Sequence, residues 1–256
     1  MRTLLVDRAA GIVTVTMNRP EKKNAISAVM WQELLDTFAD VGDRPEDRVM
    51  VLTGAGGAFC SGADLSDEGD ERPNPLTWMR HIADVALELH RLPKPTIAKV
   101  GGVAAGAGLN LALGCDLIVA SENARFSEIF TRRGLSIDFG GSWVLPRLIG
   151  LHKAKELAFF ADVIPAKDAA ELGLVNRLVA AAELDDFVDG WAHRLAEGPP
   201  VALSMTKTML NKSLEMSMDQ ALEDEARCQT VNFGTADTAE AIAAFVAKRE
   251  PRFTGR

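Results

Sequence analysis

Two glycine-rich segments, each directly after a compact apolar run, constrain the fold of this chain more than any other feature. Residues 54–65 read GAGGAFCSGADL and follow RVMVLTG, and residues 101–110 read GGVAAGAGLN and follow PTIAKV. Short runs rich in β-branched residues predict buried strands, and glycines allow the turns after them to be tight. In α/β proteins, ligands commonly bind at loops that follow the carboxyl ends of strands. We therefore expect an α/β fold with a binding site at these loops.

Predicted strands and helices alternate along the first part of the chain, as an α/β fold requires. The helices are indicated by apolar residues that recur at three- and four-residue spacing, and the strands by short apolar runs. The predicted elements are a hairpin at residues 2–7 and 12–17, strands at 48–54, 95–102 and 116–120, and helices after Ser27, at 75–92 and in GLNLALG.

Beyond about residue 150 the pattern becomes nearly all helical. The GPP at 198–200 separates a predicted core, residues 1–198, from an α-helical region, residues 199–256, which is not an independent domain. This region carries more apolar residues, such as Met209 and Phe245, than a short appendage can bury alone. They could pack on the chain's own core, contact other subunits or line a flexible pocket.

The composition argues against several classes of function. A formal charge of −8 over 256 residues disfavours nucleic acid or an anionic membrane as the main partner. The first residues are too short and too charged for a signal peptide to be expected, and the apolar runs are too short or too interrupted to span a bilayer. Cys60, Cys115 and Cys228 have no metal-ligand or C-x-x-C spacing, and the four histidines form no pair at helical spacing. We therefore expect a cytoplasmic protein without a metal.

The glycine loops permit more than one chemical use. Their backbone amides could hold an anion or a developing oxyanion, or the loops could be simple strand-to-helix turns. GAGGAF and GAGLNL each lack the third glycine of G-x-G-x-x-G, and neither follows the first strand. A dinucleotide site is therefore disfavoured.

The order of several segments, rather than either loop alone, indicates a family. RPEKKNAIS, VLTGAGGAFCSGADL, PKPTIAKVGGVAAGAGLNLALGCDLIVASENARF and GGSWVLPRLIG resemble the enoyl-CoA hydratase/isomerase (crotonase) superfamily in identity, order and spacing. The resemblance covers nearly the whole chain. It implies a crotonase-like spiral of ββα units with a C-terminal α-helical trimerisation region, and a homotrimer or homohexamer. It also implies an acyl-CoA thioester substrate, so that coenzyme A is part of the substrate and no separate cofactor is expected.

The resemblance further implies roles for individual residues. The backbone amides of Ala63 and Ala107 would hold the thioester enolate oxygen, although the family more often has glycine at the second position. Lys23 and Lys248 could equally be solvated lysines, and Asp64 could be a structural turn residue. The residues expected around the acyl-CoA are Lys22, Lys23, Ala25, Ser61, Asp64, Leu65, Gly106, Phe130 and Lys248.

Two carboxylates with which hydratases of this family hold and activate water are absent. Asn110 stands at the first of these positions, and Phe130, four residues after Phe126, stands at the second. Addition of water needs a base and an acid, and neither an amide nor a benzyl group can act as one. Glu128 lies two residues out of register, where a surface or ion-paired carboxylate is the simpler expectation.

Asp138 is the remaining acid/base candidate. GLSIDFGG, residues 134–141, resembles the G-L-x-x-D-x-G-G pattern of a branch of Δ3,Δ2-enoyl-CoA isomerases that lack both glutamates. Asp138 would remove the C2 proton of a 3-enoyl thioester and return it at C4, with Ile137 and Phe139 raising its pKa by desolvation. It could instead satisfy loop amides. The functional alternatives are an enoyl-CoA hydratase that uses Glu128 and a catalytically silent acyl-CoA-binding subunit.

Overall fold

The computed structural model describes residues 1–66 and 74–256, in which strands and helices alternate along the chain. The strands are β1 (Leu4–Ala9), β2 (Ile12–Met17), β3 (Val49–Gly54), β4 (Thr96–Val100), β5 (Val103–Ala105), β6 (Leu117–Ser121), β7 (Arg125–Ser127), β8 (Ile164–Pro165) and β9 (Arg177–Val179). The helices are α1 (Ala28–Asp43), α2 (Pro75–Arg91), α3 (Ala107–Leu113), α4 (Gly141–Phe160), α5 (Ala166–Glu171), α6 (Leu184–Ala196), α7 (Pro200–Lys212), α8 (Met218–Phe233) and α9 (Ala236–Ala247).

The strands form two sheets. The larger has the order β1-β2-β3-β4-β6-β9, and β5, β7 and β8 form the smaller one. Strands β1 and β2 pair antiparallel, with Leu4 opposite Met17, and the other pairs of the large sheet are parallel. Parallel neighbours need a crossover connection, which α1 provides between β2 and β3. The predicted α/β class and the amino-terminal hairpin are therefore confirmed.

The central strands are buried on both faces. Met50 and Leu52 of β3 belong to the main core cluster, whereas Val49 and Val51 join a second cluster that includes Val188 of α6. Successive strand residues point to opposite faces of a sheet. A run in which every residue is apolar therefore fits a strand that is covered on both sides.

Helix α1 begins where the sequence predicts. Ser27 Oγ accepts a hydrogen bond from Met30 N at 3.2 Å, a cap that typically contributes about 1 kcal/mol. The buried face of α1 includes Trp31 and Phe38. The Trp31 ring lies 5.2 Å from the ring of Phe139, so α1 supports the loop that precedes α4.

The chain beyond about residue 150 is nearly all helical, as predicted, except for two short strands that the sequence did not reveal. Strand β8 pairs with β7, and β9 adds to the edge of the large sheet beside β6, with Val119 opposite Arg177. These strands span two and three residues, too few for a period of two to be visible in the sequence. Helix α4 is also interrupted at Gly150, whose φ is +75°.

The carboxy-terminal helices are attached to the rest of the chain through α7. Lys207 Nζ forms a 2.8 Å ion pair with Asp116 and donates a hydrogen bond to Lys94 O at 3.0 Å. Phe245 of α9 is nevertheless 85% exposed, and Phe233 of α8 is 73% exposed. These polar contacts attach α7 to the rest of the chain, but apolar side chains of α7, α8 and α9 stay uncovered, among them Leu210, which is 67% exposed. Within the described ranges no helix is long and apolar enough to cross a membrane.

Candidate active site

The two glycine loops lie side by side. Cys60 forms an isolated parallel bridge with Ala104, and Ala105 N donates a hydrogen bond to Cys60 O at 2.9 Å. A Cβ atom on Gly62 would lie 3.0 Å from Ala105 O and 3.8 Å from Ala107 N. The turn at Gly62 therefore approaches the start of α3 closely, and a side chain at this position would separate the loops.

The amides of Ala63 and Ala107 are available to a ligand. Gly62 O accepts a hydrogen bond from Ile26 N at 2.8 Å, and Asp64 N donates to Ile26 O at 2.9 Å. Ala63 lies between these bonds in an extended segment, where successive N–H groups point in alternate directions. Ala107 is the first residue of α3, where the N–H has no partner within the helix. In the part of the chain that the structure describes, neither amide donates a hydrogen bond to a protein atom.

Asn24 fixes the first glycine loop, a role that the sequence did not reveal. Its Nδ2 donates hydrogen bonds to Ala55 O at 2.8 Å and Ala58 O at 2.9 Å, and its Oδ1 accepts one from Arg19 N at 3.0 Å. Its backbone is left-handed, with φ of +57°, a conformation in which asparagine is enriched. The signal was therefore present in RPEKKNA, where asparagine ends a polar turn.

Several residues predicted to bind acyl-CoA do lie together. Ser61 N donates a hydrogen bond to Lys23 O at 3.0 Å, and Ser61 Oγ donates to Lys22 O at 3.2 Å. Lys22 Nζ approaches Ser66 Oγ at 3.3 Å. The two lysines therefore stand beside the loop that carries Ala63.

Asp64 has a structural role in this loop. Its carboxylate pairs with Arg19 at 2.9 Å and accepts a hydrogen bond from Ser66 Oγ at 2.7 Å. These contacts, the Ser66 bond above all, hold the pKa of Asp64 below its usual range. They agree with the expectation of a structural turn residue rather than a base.

The other predicted binding residues are more dispersed. Ala25 is buried behind the loop, Leu65 is exposed, and Gly106 precedes α3 with a φ of +54°. A Cβ atom on Gly106 would lie 3.7 Å from Phe130 Cζ, so the buried Phe130 ring packs beside the second loop. Lys248 follows α9 as its C-cap, with a φ of +52°, and is exposed.

Asn110 brings Glu128 and Asp138 to one place. It lies in α3, one turn after Ala107, and its Nδ2 donates a hydrogen bond to Asp138 O at 2.9 Å and approaches Glu128 Oε2 at 3.4 Å. Glu128 directly follows β7. Gly106 N donates a hydrogen bond to Ser127 O at 2.8 Å, which places the end of β7 against the second glycine loop.

The expectation that Glu128 is a surface or ion-paired carboxylate is wrong. The residue is 1% exposed and forms no salt bridge with any described residue. Burial is the main cause that raises its pKa to about 8; the Asn110 hydrogen bond lowers the pKa by less, and the nearby Asp138 carboxylate adds the smallest contribution, an increase. The register counted from Phe126 did not reveal this burial: β7 ends at Ser127, and a 3₁₀ turn, Ile129–Arg133, begins directly after Glu128.

Asp138 lies in a desolvated and strained loop. Its Oδ1 is buried without a hydrogen-bond partner among the described residues, and burial raises its pKa to about 6. Phe139, next to it, is buried against Trp31 with a φ of +49°. A bulky residue in this region is an outlier, and such strain is concentrated at functional sites. No described amide donates to the Asp138 carboxylate, so the alternative of a residue that satisfies loop amides lacks support.

A cavity of about 800 Å³ adjoins Asp138. Its walls come from α2, from the loop before α4, from α4 itself and from α7. Ile82, Ala86 and Val144 form apolar walls, and Lys207 also lines the cavity. Asp138 therefore lies between this cavity and the Asn110 side chain, which links it to the second glycine loop.

The comparisons with known proteins assign the family. The model of the enoyl-CoA hydratase/isomerase family matches residues 7–256. The chain belongs to this family. A "Probable enoyl-CoA hydratase" of Rhodobacter capsulatus is 40% identical over 99% of this chain and 98% of its own length. The 1,2-epoxyphenylacetyl-CoA isomerase of Escherichia coli is 36% identical over the whole of both chains.

A solved structure of an enoyl-CoA hydratase from Bacillus anthracis superimposes with a TM-score of 0.94 at 31% identity, covering 99% of this chain and 100% of the other. The predicted crotonase-like α/β fold is therefore confirmed. Since the relatives are named as hydratases and as an isomerase, family membership establishes an acyl-CoA-transforming enzyme and leaves the reaction to the site.

Gly141 should be required for the packing of this enoyl-CoA hydratase/isomerase site. A methyl group on Gly141 would collide with Asn110 Nδ2 and Oδ1, so Gly141→Ala should lower the free energy of unfolding by about 1–3 kcal/mol. Gly190→Ala is the control, because a Cβ atom there meets nothing within 4 Å and alanine favours helix α6. Thermal unfolding measures both variants. Equal effects would contradict the close packing of Gly141 on Asn110.

Glu128 should make the stability of the protein depend on pH. The folded chain keeps the Glu128 proton up to about pH 8, whereas the unfolded chain loses it near the ordinary pKa of 4.5. The unfolded state therefore binds fewer protons in this interval, and the free energy of unfolding falls as the pH rises through it. The Glu128→Gln variant has no titrating group at this position and does not lose stability in this way. The difference between its free energy of unfolding and that of the wild type should therefore rise by roughly 3 kcal/mol between pH 5 and pH 8.

Denaturant unfolding at several pH values measures this difference. The matched control is Glu122→Gln, which changes an exposed carboxyl directly after the end of β6 and should follow the wild type. Parallel pH profiles for wild type and Glu128→Gln would show that Glu128 is not held in its protonated form.

Proposed function

We propose that this protein is a Δ3,Δ2-enoyl-CoA isomerase in which Asp138 removes the C2 proton of the substrate. The observation that carries the proposal is the Asp138 carboxyl, which borders a cavity and has a buried oxygen without a partner among the described residues. Hydratases of the family resemble one another in carrying a glutamate at each of two positions. In this chain those positions are Asn110 and Phe130. The relative from Escherichia coli, similar over its whole length, is named as an isomerase of 1,2-epoxyphenylacetyl-CoA, which supports isomerisation as the type of reaction.

The proposed reaction begins with the thioester oxygen between the amides of Ala63 and Ala107. Removing one such donor typically costs about 3 kcal/mol of activation free energy, so the pair would supply a large part of the catalysis. With a pKa of about 6, Asp138 is mostly ionised at neutral pH and still basic enough to accept a proton. The proton that C4 gains comes either from the same carboxyl, now protonated, or from a second acid in the site. The reaction requires no cofactor besides the coenzyme A part of the substrate.

A hydratase is the second candidate function, and the burial of Glu128 favours it. Asp138 and Glu128 together could provide the base and the acid that addition of water requires. The Bacillus anthracis protein of the same fold is named as a hydratase. Phe130 argues in the opposite direction, because a buried benzyl group beside Gly106 helps to exclude water from the second loop.

The residues beside the first glycine loop and the carboxy-terminal helices would surround the coenzyme A part of the substrate. Lys22, Lys23 and Ser61 lie beside the Ala63 loop and would contact the coenzyme A part. The exposed apolar side chains of α8 and α9 support a homotrimer or homohexamer, in which Lys248 would reach the coenzyme A of a neighbouring subunit. The cytoplasmic location, the absence of a metal and the division at residue 198 stay predictions.

Asp138→Asn tests the proposed function. The wild type should convert 3-enoyl-CoA into the conjugated 2-enoyl thioester, which is followed by its ultraviolet absorbance. The variant should lose at least about 100-fold in rate, because its amide cannot accept the C2 proton. Binding of a saturated acyl-CoA should remain within about twofold, since both loop amides are kept. Asp189→Asn, an exposed position on α6, is the control and should keep full activity.

Three results would decide against this proposal. Full isomerase activity of Asp138→Asn would remove Asp138 from the reaction. Conversion of 2-enoyl-CoA into a 3-hydroxyacyl thioester by the wild type, without isomerisation of 3-enoyl-CoA, would favour the hydratase. Tight acyl-CoA binding with neither reaction would indicate a catalytically silent subunit.

A further inference from the structure

We propose that Glu128 is a second proton-transfer residue of this site, which donates the proton to C4 after Asp138 has removed the proton from C2. The inference rests on the proposed isomerase function and changes the source of the second proton. It assigns a role to a carboxyl group that lies out of register with the glutamates of the family's hydratases.

The surroundings of Glu128 call for a functional explanation. Its side chain is almost completely buried, and no described cation pairs with it. Burying a carboxyl group without a full set of hydrogen bonds is costly, and proteins tolerate such groups mainly at functional sites. One oxygen, Oε2, faces the Asn110 amide at 3.4 Å. The other, Oε1, has no partner among the described residues and is free to act on a bound molecule.

Glu128 and Asp138 both lie at the Asn110 side chain. Asn110 Nδ2 links the two residues, through Glu128 Oε2 and the backbone oxygen of Asp138. Four buried side-chain atoms of the described chain lack a hydrogen-bond partner, and three of them are Asn110 Oδ1, Glu128 Oε1 and Asp138 Oδ1. Such atoms are rarely left unpaired in folded proteins. Their concentration around Asn110 indicates a place where a substrate, rather than a protein group, completes the contacts.

The protonation states of the two carboxyls suit one of them to act as a base and the other as an acid. At neutral pH Asp138, with a pKa of about 6, is mostly ionised, and Glu128, with a pKa of about 8, is mostly protonated. Two titratable groups whose pKa values are separated by their environments are suited to act as base and acid. The acidic proton of a 3-enoyl thioester is at C2, so the ionised Asp138 acts there. Glu128, which is protonated, is then the acid that donates a proton to C4.

The steps balance without another reactant. Asp138 takes the C2 proton, and the C2–H electron pair forms the C1–C2 double bond of a dienolate whose oxygen lies at the two loop amides. An electron pair of the dienolate oxygen then reforms the carbonyl of the thioester, and the C1–C2 π pair becomes the C2–C3 double bond. The former C3–C4 π pair takes the Glu128 proton at C4. After product release, Asp138 loses its proton and Glu128 regains one by exchange with water. No net proton is consumed.

Glu128→Gln separates this role from a purely structural one. The glutamine keeps the size of the side chain and its contact with Asn110 but has no proton to donate to C4. The variant is assayed with 3-enoyl-CoA in D₂O, and both the conjugated product and the deuterium content at C2 of unconverted substrate are measured. Wild type, Asp138→Asn and the control Glu122→Gln are measured in parallel.

In Glu128→Gln, isomerisation should fall by about 100-fold or more, the usual contribution of a general acid. Exchange at C2 should continue at a rate within about threefold of wild type, because Asp138 can still remove the proton and return a deuteron. Asp138→Asn should lose both reactions, and Glu122→Gln should lose neither. Continued exchange at C2 also shows that the Glu128→Gln protein is folded and binds substrate.

Three results would overturn the inference. They are unchanged isomerisation by Glu128→Gln, loss of C2 exchange together with isomerisation in that variant, and transfer of deuterium from C2 to C4 by the wild type with C2-deuterated substrate in H₂O. Each of them leaves the isomerase function itself intact. A wild type that does not isomerise 3-enoyl-CoA would overturn the proposed function and this inference together.

Discussion

The buried amide of Asn110 is the contact on which the arrangement of this site depends. It lies one turn after Ala107 in α3, and its Nδ2 holds the backbone oxygen of Asp138 at 2.9 Å while facing the carboxyl of Glu128. The chain makes room for it at Gly141, where a methyl group would collide with the amide. One side chain therefore connects the second glycine loop, the end of β7 and the loop before α4.

The two sheets bring these three segments together. The central strands of the large sheet are covered on both faces, which fixes the position of the loops that follow β3 and β4. The small sheet then aligns β5 with β7, so that Gly106, after β5, bonds to Ser127 at the end of β7. From the opposite side, Trp31 of α1 supports Phe139 in its strained conformation. The position of Asp138 is thus a consequence of core packing rather than of the loop alone.

Sequence patterns predicted the parts of this structure that depend on local periodicity or on shared motifs. The hairpin, the buried strand β3 and the helices α1 and α2 follow from the spacing of apolar residues, and the paired glycine loops follow from the family resemblance. Strand β9 was missed because its three residues pair only with a strand far away in sequence. Glu128 was wrongly expected at the surface because burial depends on how the whole site packs. A register carried over from hydratases could not show that a 3₁₀ turn begins directly after this residue.

An amide at position 110 has an electrostatic consequence for the bases around it. A carboxylate in its place would put a third acidic group beside Glu128 and Asp138. Like charges at short range disfavour ionisation, so the pKa values of the group would be driven further upward. Neutral Asn110 can instead donate hydrogen bonds toward both residues and adds no negative charge. Asp138, with a pKa of about 6, is mostly ionised near neutral pH, and an amide at position 110 suits its proposed use as a base.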